Sequence, residues 1–262
     1  TTNKKIKKIS LIIAILINLG VLVVLKYTNF FGENIFAIFH QPFTPVRLIA
    51  PIGISYYTLQ MISYLMDTSS GKIHSDHSIV DFAVYASFFP TLIQGPITRF
   101  TEIKDSIHAG NPITYQNLKF GSQRILFGLM KKMIIADRLD PAVSKIFTSY
   151  TQDRLFSLIG AVLCTIQLYM DFSGIVDICL GSAEIFGIKL PENFRQPFFA
   201  ENASDFWRRW HITLGTFLRD YVFYPVSLAK PIRRLSKFSQ NILGRLPVSL
   251  LVHLSHYLRY GS

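Results

Sequence analysis

Ile9-Ser10-Leu11-Ile12-Ile13-Ala14-Ile15-Leu16-Ile17-Asn18-Leu19-Gly20-Val21-Leu22-Val23-Val24-Leu25 carries no charge, and Ser10 and Asn18 are its only strongly polar members. Crossing a hydrocarbon slab of about 30 Å takes roughly 17 to 25 apolar residues. The stretch is therefore long enough to span a bilayer. Lys4, Lys5, Lys7 and Lys8 precede it. Cytoplasmic flanks hold the excess of Lys and Arg, so its amino end is expected on the cytoplasmic side. A secretory signal needs a small-residue cleavage site after its apolar region, and Leu25-Lys26-Tyr27-Thr28 is not one. The chain begins at Thr1 rather than at a methionine, which reads as a cut or processed boundary.

The composition of the whole chain agrees with a membrane reading. Of 262 residues, 50% are apolar, 14% aromatic and only 16% charged, against roughly 25% charged in an ordinary globular domain. Mean hydropathy is +0.32. Disorder, a coiled coil and a secreted disulfide scaffold are excluded. The net charge of +11, from 27 Lys and Arg against 16 Asp and Glu, suits cationic loops beside anionic lipid rather than nucleic acid. Cys164 and Cys179 form no metal or redox spacing.

Working outward, Phe43 to Met66 is long enough to cross and carries one charge, Arg47. Ile79 to Ile97 carries Asp81 and Gln94, and Leu155 to Met170 is uncharged. Phe120 to Ile135 contains Arg124, Lys131 and Lys132 and reads as a bent or partial crossing, with both lysines as interfacial anchors. Leu246 to Leu258 is too short to span alone. Loops are expected at Asp67 to Asp76, Thr101 to Thr114, Asp137 to Pro141 and Pro191 to Asn202. Lipid admits only helices or closed barrels, and barrel strands would alternate polar and apolar residues. These runs do not alternate, so the expected fold is all-α: one membrane-embedded polytopic helical bundle over 1–262, with no repeat and no second, soluble domain.

Polar residues at membrane depth are costly and usually line a cavity or substrate path. Two clusters qualify. In Gln167-Leu168-Tyr169-Met170-Asp171-Phe172-Ser173-Gly174, an uncharged span meets an acid and small residues. On spacing alone, Asp171 caps the next helix at the interface; alternatively Asp171 and Ser173 line a chamber, with Arg209 as a candidate partner for Asp171. The second cluster runs from Asn202 to Gly215 and holds Trp207, Arg208, Arg209, Trp210 and His211. Ser204 or Asp205 is expected to cap a helix that sets Trp207 and His211 on one face. A near-neutral histidine can take a proton from a hydroxyl, and a guanidinium fork can hold a phosphate or carboxylate. The plain alternative is an interfacial aromatic belt with snorkelling arginines. Glu192 and Asn193 read as loop structure, and His40, His74, His77 and His108 as loop residues without a catalytic part.

Several motifs share one resemblance. Pro51 to Gln60 (PIGISYYTLQ), Phe89-Pro90 with Gln94-Gly95-Pro96-Ile97, Gly128 to Lys132 with Ala136-Asp137, Tyr169 to Gly174, Phe186 to Phe194 (FGIKLPENF), Phe206 to Ile212 (FWRRWHI) and Arg219-Asp220-Tyr221 occur in order. Together they resemble the membrane-bound O-acyltransferase family, and within it the bacterial branch that contains the alginate O-acetylation protein and the teichoic acid D-alanyl transfer protein. The resemblance implies a multi-pass enzyme in the cell membrane, with a funnel or tunnel. It would move an acyl group from a cytoplasmic donor (acetyl-CoA or an acyl carrier protein, as co-substrate, with no bound cofactor) to a hydroxyl of a cell-envelope glycan. An extracytoplasmic protein that finishes the acetylation is implied by analogy. Carried over, the family's first histidine is His211 in the reaction chamber, and Arg208 and Arg209 shape its entrance or hold donor phosphate, beside Trp207.

The family's second histidine, which the resemblance implies is the main catalytic residue, lies further on, flanked by glycines and tryptophan. Here the equivalent region reads Leu250-Leu251-Val252-His253-Leu254-Ser255-His256-Tyr257-Leu258-Arg259. His256 is the candidate, in a departure from the pattern. His253 and His256 have no evident third ligand, so no metal site is expected. Either a piece of a longer enzyme or a truncated product would explain the tail, and full activity is expected to need residues beyond Ser262. A transporter would show paired halves with broken helices, and none are evident. An inactive remnant or scaffold is the reading from another class.

Overall fold

The computed structural model describes residues 4–73, 78–149 and 154–229, and the described residues are helical or irregular, with one isolated antiparallel bridge. The opening stretch forms α1 (Lys4–Leu22), a π-helical turn (Val23–Tyr27) and α2 (Thr28–Ile38). Together they make an apolar helical path over Lys5–Ile38, long enough to cross a bilayer. It continues past Leu25 because Lys26 has an outlet for its charge, donating to Ser55 Oγ at 2.9 Å. Ile9, Ile12, Ile13, Leu16 and Ile17 are all exposed. Such a surface is that of a helix facing lipid.

Phe43 to Met66 does not form one span. Residues 41–51 are irregular and helix α3 covers only Ile54–Ser70. Pro45 and Pro51 push the residues before them away from helical backbone. Gly53 then starts α3 with φ +77°, where a Cβ would overlap the Leu92 carbonyl. Ile79 to Ile97 is likewise broken, into α4 (Ile79–Ala86), opened by a Ser78–Asp81 capping box, and α5 (Phe89–Leu92). Pro90 starts α5, and Gly95-Pro96 prevents its continuation. The expected loop at Thr101 to Thr114 is instead largely helix α6 (Phe100–His108). Phe100 and Ile103 lie on one of its faces and are buried with Ile73 and Tyr85, so a polar sequence becomes a helix through two apolar anchors.

Helix α7 (Tyr115–Leu129) leads through a π-helical turn (Met130–Ala136) into α8 (Asp137–Ser149), and α9 follows (Arg154–Ile185). Phe120 to Ile135 falls on α7 and that π turn. Asp137 to Pro141 is helical rather than a loop: it continues the π turn directly into α8, with Pro141 inside the helix. The expected helix end at Asp171 is also corrected, since α9 runs on for a further half. Its second half is held by close approach to α7. Gly121 opposes Gly181 and Gly128 opposes Gly174, and a Cβ on any of the four would stand 2.5 to 2.8 Å from the facing carbonyl oxygen. Small residues at this spacing let two backbones touch, as membrane helices do when no hydrophobic effect drives them together. After Ile185 the chain is irregular, apart from a short 3₁₀ turn (Pro197–Phe199), until α10 (Ala203–Arg209) and α11 (Ile212–Phe217).

The chain divides into two compact units, Thr1–Gly215 and Thr216–Ser262. In the second, the described residues form a π turn (Leu218–Phe223) and helix α12 (Tyr224–Ser227), with Arg219 Nε bonded to Asp220 at 2.9 Å. Leu246 to Leu258 lies outside the described residues.

Candidate active site

Two short segments form the frame of the site. Residues 193–195 and 209–213 run antiparallel: Arg195 N donates to the Arg209 carbonyl at 3.0 Å and Ile212 N to the Asn193 carbonyl at 3.0 Å, with the bridge Phe194–Trp210 between them. Aromatic rings fill the space behind. Trp210 packs on Phe194, Tyr169 and Phe206, and Phe172 of α9 packs on Phe194.

Helix α10 is capped by Asn202, whose side chain accepts from Asp205 N at 2.9 Å, and not by Ser204 or Asp205. It ends at Arg209. Trp210 is extended, and His211 stands at φ +47°, in the left-handed region. Trp207 and His211 therefore do not share a helix face, which corrects the sequence expectation. A side-chain-bearing residue held there costs on the order of 1 to 3 kcal/mol, and such residues cluster at functional sites. The His211 ring is half-buried against Phe172, edge to face at 4.8 Å, and its Nδ1 lies 3.1 Å from Asn193 Oδ1. Outside the two long helices, burial depresses its pKa to about 4. The imidazole is neutral across the physiological range.

Asn193 is fully buried, and its Oδ1 also accepts from Thr213 N at 3.1 Å and Thr213 Oγ1 at 2.9 Å. Thr213 Oγ1 in turn accepts from Ile97 N at 3.1 Å, which gives the Gln94-Gly95-Pro96-Ile97 turn a place beside the site. Glu192 is clamped by both terminal nitrogens of Arg124, at 2.7 and 2.6 Å. Arg124 also reaches Asp177 at 3.1 Å, and Lys131 donates to Asp177 at 2.6 Å. Two cations and two carboxylates thus tie α7 and α9 to the segment carrying Asn193, so Glu192 and Asn193 are more than loop structure. Sequence reading missed both, because the partners of each lie far away along the chain.

Asp171 is paired with Lys132 at 2.7 Å, and Lys132 also reaches Asp137 at 2.6 Å. Arg209 is not its partner; Arg209 binds Asp205 at 2.8 Å and Arg208 approaches the same carboxylate at 3.6 Å. The hydrogen bond from Arg209 holds the Asp205 carboxyl below the usual carboxylate range. Lys131 and Lys132 are ion-pair partners of α9 rather than lone anchors. Ser173 is buried, and its hydroxyl has no hydrogen-bond partner among the described residues. Trp207 is 65% exposed, and it is Trp210 that packs inward. His253 and His256 lie outside the described residues, and no metal-holding group of His, Cys, Asp or Glu occurs among the described ones.

The model of the membrane-bound O-acyltransferase family matches residues 12–253. The chain belongs to the membrane-bound O-acyltransferase family. A probable alginate O-acetylase AlgI of Pseudomonas aeruginosa is 38% identical over 219 residues, covering 81% of this chain and 42% of the relative. A peptidoglycan O-acetyltransferase of Helicobacter pylori is 35% identical over 252 residues, covering 84% and 47%. A teichoic acid D-alanyltransferase of Bacillus subtilis is 33% identical over 187 residues, covering 70% and 47%. The chain spans less than half the length of these curated relatives. As a member of this family it is a multi-pass membrane protein, and the two long apolar helices among the described residues agree with that.

Proposed function

We propose that the protein transfers an acetyl group from a thioester donor to hydroxyls of a cell-envelope polysaccharide, and that His211 is the base that prepares the hydroxyl. The observation that carries this reading is His211 itself, a neutral imidazole in a strained left-handed turn within the Phe206 to Ile212 segment. In the transfer, the acceptor oxygen attacks the acyl carbonyl carbon while His211 takes the hydroxyl proton. The new C–O bond forms, the thioester C–S bond breaks, and the proton passes to the departing thiolate. General-base help of this kind contributes typically 10²- to 10⁴-fold. Arg208 and Arg209 both approach the carboxylate of Asp205, and their guanidinium forks are suited to donor phosphate. We assign Trp207 to the same donor side, Asp171 and Ser173 to the chamber wall, and the second histidine of the reaction to His256. The lipid bilayer, a glycan acceptor and an extracytoplasmic acetylation partner complete the proposal, with 1–262 acting as one membrane-embedded unit.

A second reading, D-alanyl transfer toward teichoic acid, is favoured by the teichoic acid D-alanyltransferase relatives. The two separate in one assay. Full-length protein in lipid nanodiscs is offered acetyl-CoA, acetylated carrier protein or D-alanylated carrier protein with isolated envelope glycans, and the glycan mass is followed. A gain of an acetyl mass supports the first reading, and a gain of a D-alanyl mass replaces it with the second. No covalent gain with any donor contradicts both.

A further inference from the structure

The hydrogen bonds around Asn193 determine which nitrogen of His211 carries the proton. The atom of the Asn193 amide facing Thr213 receives a backbone N–H at 3.1 Å, and only the oxygen can accept there. The same oxygen takes the Thr213 hydroxyl proton at 2.9 Å, because an amide oxygen can only accept, while the hydroxyl itself accepts from Ile97 N–H at 3.1 Å. The amide is therefore oriented with Oδ1 toward His211 Nδ1 at 3.1 Å, and an amide oxygen cannot donate. A hydrogen bond at that distance requires His211 Nδ1–H as donor. We infer that Asn193 is a positioning residue that holds His211 as its Nδ1–H tautomer and so presents a bare Nε2 lone pair as the proton-accepting face.

This rests on the proposed role of His211 as base, and it deepens that role. The partner that a histidine finds for one nitrogen sets what the other can do. The arrangement is stiff for a physical reason. Asn193 is fully buried, its carbonyl holds Ile212 N at 3.0 Å, and the preceding Glu192 is clamped by Arg124. Rotating the Asn193 amide would break the two hydrogen bonds that its Oδ1 accepts from Thr213. The opposing view is that Asn193 merely caps the amino end of α11, and this predicts that only folding depends on it.

The two views differ in solution. Full-length protein is labelled with ¹⁵N-histidine in lipid nanodiscs, and the His211 signals are assigned by their loss in His211→Asn. The expected spectrum at pH 7 shows a protonated Nδ1 and an unprotonated Nε2. In Asn193→Leu the single tautomer gives way to a mixture, and kcat falls about 10²-fold with KM nearly unchanged. Asn193→Asp keeps the acceptor oxygens, so it serves if the Leu variant does not accumulate. There His211 stays Nδ1–H and titrates about 1 to 3 pH units higher than in the native protein, because a carboxylate faces it. A native Nε2–H signature, a tautomer unchanged in Asn193→Leu, or an unmoved titration in Asn193→Asp overturns the inference. If the spectra behave as expected but His211→Asn transfers acyl groups normally, the proposed chemistry fails while the positioning geometry stands.

Discussion

Lys5–Ile38 and Arg154–Ile185 are both long and apolar enough to cross a membrane, yet they are built for different work. The first shows its apolar side chains almost all round; Asn18 bonds within its own helix to the Ala14 carbonyl at 3.4 Å, while Lys26 and Asn29 reach outward to Ser55 and Val46. The second has a lipid-like first half, with Leu155, Leu158 and Val162 exposed, and a second half that buries Ser173, Gly174, Asp177 and Gly181 against neighbours. Apolarity places a helix in the bilayer. Facing glycines and a carboxylate shared by two cations decide what the second helix touches there.

The largest test of this contrast removes the shared carboxylate. Asp177→Leu leaves Arg124 and Lys131 without their common partner in a largely buried position. It is expected to cost about 3 to 5 kcal/mol, seen as a lower unfolding midpoint in detergent. Asn18→Leu, the matching change on the first helix, should stay within about 0.5 kcal/mol. Next in size is Gly128→Ala, whose Cβ would meet the Gly174 carbonyl at 2.5 Å and push α7 from α9 for about 1 to 3 kcal/mol. Gly20→Ala meets nothing within 4 Å and should be neutral or slightly stabilising. Equal effects of the two glycine changes would break the comparison.

A smaller effect is expected with pH. His211 is held neutral in the fold, with its pKa moved from 6.5 to about 4. The unfolded chain binds its proton first as the medium is acidified, so this contribution to stability is complete above pH 6.5 and is lost progressively down to about pH 4. Unfolding midpoints of native protein and His211→Asn should therefore diverge between these limits, with the native protein falling more steeply. Parallel curves would contradict the neutral assignment.

What could be read from the chain follows from the range of each interaction. Ile9 to Leu25 and Leu155 to Met170 declare themselves because an uninterrupted apolar run is a local property. The failed spans at Phe43 to Met66 and Ile79 to Ile97 contain Pro45, Pro51, Pro90 and Pro96, whose backbone consequences outweigh apolarity. Continuation of α9 past Asp171 was hidden, because Lys132 and the facing glycines of α7 reside in another helix. At the site, His211 and its arginines were visible as a cluster, but their geometry was not. Helix periodicity set Trp207 beside His211, whereas the bridge Phe194–Trp210 turns the chain out of the helix before His211 is reached. Asn193 and Glu192, unremarkable in a proline-rich stretch, gain their meaning from Thr213 and Arg124.

The comparison assigns stability to the α7–α9 crossing and chemistry to the short segments that it supports. The most direct test is donor-dependent acyl transfer by full-length His211→Asn, chosen because Asn tolerates the left-handed backbone that His211 occupies. The account predicts an unfolding midpoint close to that of the native protein and transfer reduced by about 10²-fold or more. Transfer within about twofold of native, in protein that folds as well, would contradict it.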